Sequence, residues 1–182
     1  MKRIALVVAL LGVGVAQNAV AGPVSANTWY QFCFGGAGTF AGSNAGCVSP
    51  APGVVAADSP AWTFTSASSF WFRIQDLFNS GDRFSLFADA LFAGQTSAAA
   101  TGSSCGNDPN ACAGNAAMSK GAFLFGPGTY SFTVRVDDSP FEGGAGAFQI
   151  EAASDSVPEP ATFGLMALGL VAVGAARRRA RR

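Results

Sequence analysis

The chain reads as an all-β protein, an antiparallel β-sandwich of about eight strands with a jelly-roll-like arrangement. Three observations predict this. Apolar and polar residues alternate with a period of two, Gly- and Pro-rich turn signals separate the alternating runs, and the central region contains no convincing amphipathic helix. The clearest run is Thr129 to Val136, where Tyr130, Phe132, Val134 and Val136 face one way and Thr129, Ser131, Thr133 and Arg135 the other. That pattern is a strand with one buried face. Phe70, Phe72 and Ile74 alternate with Trp71, Arg73 and Gln75 in the same manner.

The other strands follow in order. Thr28–Phe34 comes first, then a long stretch from Gly35 to Ser59 rich in Gly, Ala, Ser and Pro. Ala61–Thr65 precedes the Phe70 run, and Asn79-Ser80-Gly81-Asp82 marks a turn into Arg83–Ala88. Ala90–Thr96 follows, and a second long stretch, Ser97 to Ser119, leads to Gly121–Phe125. Gly126-Pro127-Gly128 turns the chain into the Thr129 strand, and Gly143-Gly144 turns it into the last, Gly146–Ala152. Loops of the length of the two irregular stretches are either functional or poorly ordered.

Both ends differ from this middle. Lys2 and Arg3 precede an apolar stretch from Ile4 to Val15, and Ala19-Val20-Ala21 fits the small-x-small rule for cleavage before Gly22. Residues 1–21 are therefore expected to be a secretory signal helix that signal peptidase removes. Residues 22–154 are the expected mature domain and 155–182 a separate tail. That tail begins with Val157-Pro158-Glu159-Pro160 and continues with a 16-residue apolar run, Ala161 to Ala176. It closes on a cluster of five arginines, Arg177, Arg178, Arg179, Arg181 and Arg182. As a helix the run reaches about 24 Å, slightly short of the ~20 residues usual for a membrane span. The arginines resist translocation, which keeps them cytoplasmic and directs the main domain outward. Pro158 and Pro160 disfavour helix, so the motif is an extended, accessible segment, as a protease requires.

Together these three parts resemble the PEP-CTERM sorting signal of exported proteins of Gram-negative bacteria. The resemblance implies an inner-membrane-anchored precursor with its domain in the periplasm, processed by the membrane protease exosortase and delivered to the cell surface or extracellular matrix. It also implies an association with exopolysaccharide. A further similarity to exported proteins of this kind lies in Gly81–Asp89 followed by Gly94–Ser97, and in Ser119–Gly128 leading into Tyr130–Val136. There the second strand follows an Asp-x-Gly turn, whereas here Ala90 to Ala93 intervene without a glycine.

Charge and cysteine usage narrow the function classes. The whole chain is formally neutral, but residues 22–156 hold four basic and ten acidic residues, a net charge of −6. An acidic surface disfavours nucleic acid and anionic lipid. The region of about 135 residues is one domain by length, large enough for a hydrophobic core. Cys33 with Cys47 and Cys105 with Cys112 form two local pairs. Export to an oxidising compartment favours disulfides, each worth roughly 2–3 kcal/mol in the chain-entropy model. Four cysteines allow three connectivities, of which proximity favours these two.

The chain contains no histidine. Ser-His-Asp and Cys-His nucleophile systems and histidine-ligated metals are excluded, and no enzyme or metal cofactor is expected. Trp29, Tyr30, Trp62 and Trp71 are aromatics of the type that stack on sugar rings, though a Phe-rich sandwich also needs aromatics in its core. Asp76, Asp82 and Asp89, and Asp137, Asp138 and Glu142, form two acidic groups that could bind calcium or simply cap turns. The candidate ligand residues are Trp62, Trp71, Asp82 and Asp137. The expected role is a non-catalytic structural sandwich. The alternative is a carbohydrate-binding module, with or without calcium, acting on exopolysaccharide.

Overall fold

The structure is a computed structural model that describes residues 22–153. Its elements are β1 (Gly22–Pro23), β2 (Trp29–Gly35), β3 (Val55–Ala56), β4 (Trp62–Ser66), β5 (Phe70–Asp76) and β6 (Phe78–Asn79). They continue with β7 (Arg83–Ala88), β8 (Leu91–Gln95), β9 (Ser104–Gly106), α1 (Pro109–Gly114), β10 (Lys120–Phe125), β11 (Gly128–Asp138) and β12 (Gly143–Ala152). All eight expected strands are present, as β2, β4, β5, β7, β8, β10, β11 and β12. The expected N-terminal signal helix and C-terminal hydrophobic helix lie outside the described residues.

The strands form two five-stranded sheets, ordered β1-β4-β11-β7-β8 (sheet I) and β10-β5-β12-β2-β3 (sheet II), and the short β6 and β9 pair antiparallel as a third, two-stranded one. The eight long strands pair in nested fashion: β2 with β12, β4 with β11, β5 with β10 and β7 with β8, all antiparallel. Wrapping that ladder adds the β12–β5 and β11–β7 pairings. This is jelly-roll order. The short β1 and β3 add parallel edges beside β4 and β2.

The inner faces follow the alternation in the sequence. Phe70, Phe72 and Ile74 of β5, and Phe132, Val134 and Val136 of β11, are buried in the core together with Phe32, Trp62, Phe84 and Phe148. Rings bridge the two sheets. Trp62 lies 4.5 Å from Phe148, Phe72 lies 4.6 Å from Phe132, and Phe34 meets Phe84 edge-on at 5.1 Å between centroids.

The two long stretches are more ordered than loops. Cys33–Cys47 and Cys105–Cys112 are disulfides, with Cα separations of 6.5 and 5.0 Å. Asn107-Asp108-Pro109-Asn110 reads from its composition as a turn between the two cysteines. Asp108 is instead the N-cap of the six-residue α1, accepting from the Asn110 amide at 2.9 Å, with Pro109 in the first turn. Proline there forfeits no helical hydrogen bond. Both stretches fold back over the outer face of sheet II. Buried Gln31 donates to the Val48 carbonyl at 2.8 Å, and buried Gln75 donates to the Pro109 carbonyl at 2.5 Å. A second small core of Leu77, Cys112, Met118 and Ala147 sits beneath the second stretch.

The glycine-free β7–β8 connection is a two-residue turn. Ala88 pairs with Leu91, and Asp89 and Ala90 both have positive φ, 50° and 64°. Two positive φ values in a two-residue hairpin match a type I′ turn. Asp89 Oδ1 accepts from the Ser131 amide at 3.0 Å and holds the turn against sheet I. Ala90 receives no such help, and a left-handed conformation costs a non-glycine residue about 1–2 kcal/mol. Ala90→Gly is therefore expected to stabilise the protein by about 1 kcal/mol, read as a higher urea midpoint at unchanged slope. An unchanged or lower midpoint would refute this account of the turn.

Candidate functional site

Side chains that β5 turns away from the core point to the outer face of sheet II. The register places Trp71 between Leu124 and Glu151, and Arg73 between Ala122 and Gln149, with Trp29 completing the second row. Arg73 Nε lies 2.6 Å from Glu151 Oε2, an ion pair in the middle of the face. The two disulfide-bearing stretches cover the lower part of this face. Its upper part is open, and a groove of about 430 Å³ runs along the boundary, lined by Trp29, Arg73, Asn110, Lys120, Gln149 and Glu151 among others. Lys120 reaches across to the last carbonyls of α1, donating to Ala113 at 2.6 Å and Asn115 at 3.1 Å. The result is a strip on which two half-buried indoles flank an ion pair and an amide, Trp71 outside both cores and Trp29 packed against the second core, with α1 as its wall.

The four candidate ligand residues do not converge. Trp71 is half-buried on this strip. Trp62 is fully buried between the sheets, and its indole N–H donates to the Asp58 carbonyl at 2.9 Å. As a sugar platform it is a correction. Its partner along β4 is Phe64, and both face the core, which needed a large ring where β2, β4 and β12 meet. Asp137 lies in sheet I and is already occupied. It accepts from Ser85 and Gln95 at 2.6 Å each and from the Arg135 guanidinium at 2.8 Å. Burial pushes its pKa up, but the Ser85, Gln95 and Arg135 hydrogen bonds outweigh that and hold it below the usual carboxylate range.

Asp82 is also away from Trp71. It is 2 % exposed and is joined by Asp76, which is 0 % exposed. Asp76 ends β5, and its Oδ2 accepts the Gly81 and Asp82 amides at 3.2 Å each, shaping the connection into β7. Asp82 lines a pocket of about 570 Å³ with Phe34, Phe78, Phe141 and Gly144. Among the described residues, no group of three or more His, Cys, Asp or Glu side chains is placed to hold a metal.

Residues 156–182 match the family model of the PEP-CTERM protein-sorting motif. The chain carries a PEP-CTERM sorting signal. No curated protein and no solved structure matches the chain. The matched segment contains Val157, Pro158, Glu159 and Pro160 and the arginines Arg177, Arg178, Arg179, Arg181 and Arg182, all outside the described residues. A PEP-CTERM signal implies export, a precursor anchored in the membrane at this end, and processing by exosortase. Among the described residues no helix is long and apolar enough to cross a membrane. Of the residues assigned to signal cleavage, Ala19 and Ala21 lie outside the described region, and Gly22 opens β1.

The domain ahead of the PEP-CTERM signal contains one strongly perturbed acid. Burial, followed by the neighbouring Asp82 charge, raises the Asp76 pKa from 3.8 to about 8, against the backbone amides of Asp82, Gly81 and Leu77. Burial also raises Asp82, opposed by Ser139 and Asp76. Asp76 is thus protonated at neutral pH, and the domain carries one negative charge fewer than its composition implies. The folded pKa lies above the unfolded one, so the associated stability is complete below about pH 4 and is lost as pH rises through about 8. Stability should fall by a few kcal/mol between pH 5 and pH 9. Asp76→Asn, which mimics the neutral form, should flatten that dependence in urea titrations. An equally steep dependence in Asp76→Asn would contradict the assignment.

Proposed function

We propose that this is an exported, exosortase-processed protein whose non-catalytic β-sandwich binds extracellular polysaccharide through the open strip on sheet II. The observation that carries the reading is the pairing of Trp71 and Trp29 on one flat sheet face, with the Arg73–Glu151 ion pair and Gln149 between them. Indole faces present apolar surface to the C–H faces of pyranose rings, and adjacent guanidinium, carboxylate and amide groups satisfy ring hydroxyls. An open strip crossing the strands from β5 to β2 suits an extended polymer rather than a small enclosed ligand. Arg73 and Lys120 are two of the four cations between residues 22 and 156, and both border the strip. The absence of histidine from the chain supports a non-catalytic role.

A glycan array with purified residues 22–154 tests this directly. Binding to neutral polysaccharide is expected, weakened about tenfold or more by Trp71→Ala, the loss of about 1.4 kcal/mol. Trp71 stands outside both cores, so the variant should unfold at nearly the wild-type urea midpoint. Uniformly negative binding would leave the competing reading, a purely structural matrix protein, which the two disulfide-pinned stretches also support. Sorting has its own test. Intact-mass spectrometry of extracellular protein should show loss of the Arg177–Arg182 cluster, and finding Arg182 there would refute processing.

A further inference from the structure

The chain leaves the sandwich for its sorting signal from one particular end. Ala152, the last residue of β12, pairs with Phe70, and Phe70 pairs with Phe125 at the end of β10. The β4–β5 and β10–β11 connections turn at this same end. In sheet I, Phe132 near the start of β11 pairs with Ala88, and Ala88 pairs with Leu91 across the β7–β8 turn. The β7–β8 turn, the last residues of β10 and the departing chain therefore share one end of the sandwich, the exit end. The β5–β7 and β11–β12 connections lie at the far end.

Apolar side chains and charges are sorted between these ends. Toward the exit end, Leu91 is 74 % exposed, Phe92 63 % and Leu124 57 %. Clusters of exposed apolar side chains mark contact surfaces. The acids Asp76, Asp82, Asp137, Asp138 and Glu142 gather instead at the far end. Two described acids sit toward the exit end, and both are engaged. Asp89 accepts the Ser131 amide at 3.0 Å, and Glu151 is paired with Arg73. Seven residues, 154–160, separate Ala153 from the apolar run that begins at Ala161. Fully extended they span roughly 25 Å at ~3.6 Å per residue. The eleven-residue β11 is longer, about 36 Å at ~3.3 Å per residue. The tether is thus shorter than the sandwich it holds, and it starts from the apolar end.

We propose that in the anchored precursor the exit end docks on the phospholipid surface around its own anchor, with Leu91, Phe92 and Leu124 entering the boundary between headgroups and acyl chains. A short tether gives a second contact an effective concentration on the order of millimolar, so a few apolar side chains of weak intrinsic affinity suffice. The contact is apolar and needs no anionic lipid. The far-end carboxylates stand several Debye lengths, each about 8 Å at physiological salt, from the headgroups. Removal of the tail abolishes the high local concentration, and the domain then leaves the surface. The inference rests on the membrane anchoring that the sorting signal implies and is independent of sugar binding.

The test places one copy of the signal-cleaved precursor, residues 22–182, in a phosphatidylcholine nanodisc doped with a gadolinium-chelating lipid. Amide NMR signals then report proximity to the headgroups. Leu91, Phe92 and Leu124 should lose signal while Glu142 and Gly143 keep theirs, and high salt should not change this. Leu91→Ser combined with Phe92→Ser should lower the docking constant about tenfold or more and restore the Leu124 signal. Leu124→Ser should restore the signals of Leu91 and Phe92 in the same way, which keeps the test decisive if the double variant misfolds. Equal loss at both ends, or loss that neither variant relieves, would show the tether acting alone and overturn the proposal. Broadening that requires two copies in a disc would mark a second chain as the occupant and overturn it equally. A precursor that never enters the disc would overturn anchoring and docking together, whereas one that enters without selective loss overturns docking alone.

Discussion

Ring packing between the sheets is the interaction on which the rest depends. Phe32, Trp62, Phe72, Phe132 and Phe148 form a continuous aromatic layer contributed by five strands, two from sheet I and three from sheet II. Burying one such side chain is worth roughly 1.5–3 kcal/mol, and favourable ring pairs add about 0.5–1.5 kcal/mol. Because side chains alternate along each strand, committing Phe70, Phe72 and Ile74 to this layer forces Trp71, Arg73 and Gln75 outward. The surface chemistry of sheet II is thus a consequence of core packing. The disulfide-pinned stretches then cover one part of that surface and leave the other free.

The sequence makes the eight main strands legible because one-sided burial imprints a period of two. The same signal, applied to Trp62 and Phe64, assigns both to one face and would have placed Trp62 inside. What stayed hidden lacks such a signal. The α1 segment, PNACAG, is too short for helical periodicity, and its cap reads equally well as a turn. The Asp89–Ala90 turn departs from the usual glycine signature because the Asp89 carboxylate bonds the Ser131 amide of a neighbouring strand, a tertiary contact. The Asp76–Asp82 pair spans a connection between two sheets, and no local pattern announces that two acids six positions apart will be buried together. Trp29 joined Trp71 only once β2 was seen two strands away from β5, across β12.

Terminal signals and domain form one account. The PEP-CTERM segment directs export and brings with it the arginines that mask an acidic domain. Export takes that domain into an oxidising compartment, which suits its two disulfides. The arrangement separates tasks by place. The tail addresses the protein, the aromatic layer holds the sandwich, and the upper outer face of sheet II is left uncovered.

The central claim is that core packing divides the three tryptophans, Trp62 inward and Trp29 and Trp71 onto the outer face of sheet II, where we propose that polysaccharide binds. Indole N–H resonances followed by NMR during titration with neutral oligosaccharides test this most directly. The account predicts that the Trp29 and Trp71 signals move with saturation while Trp62 stays fixed. Movement of Trp62 alone, or of no indole under conditions where the oligosaccharide is bound, would contradict it.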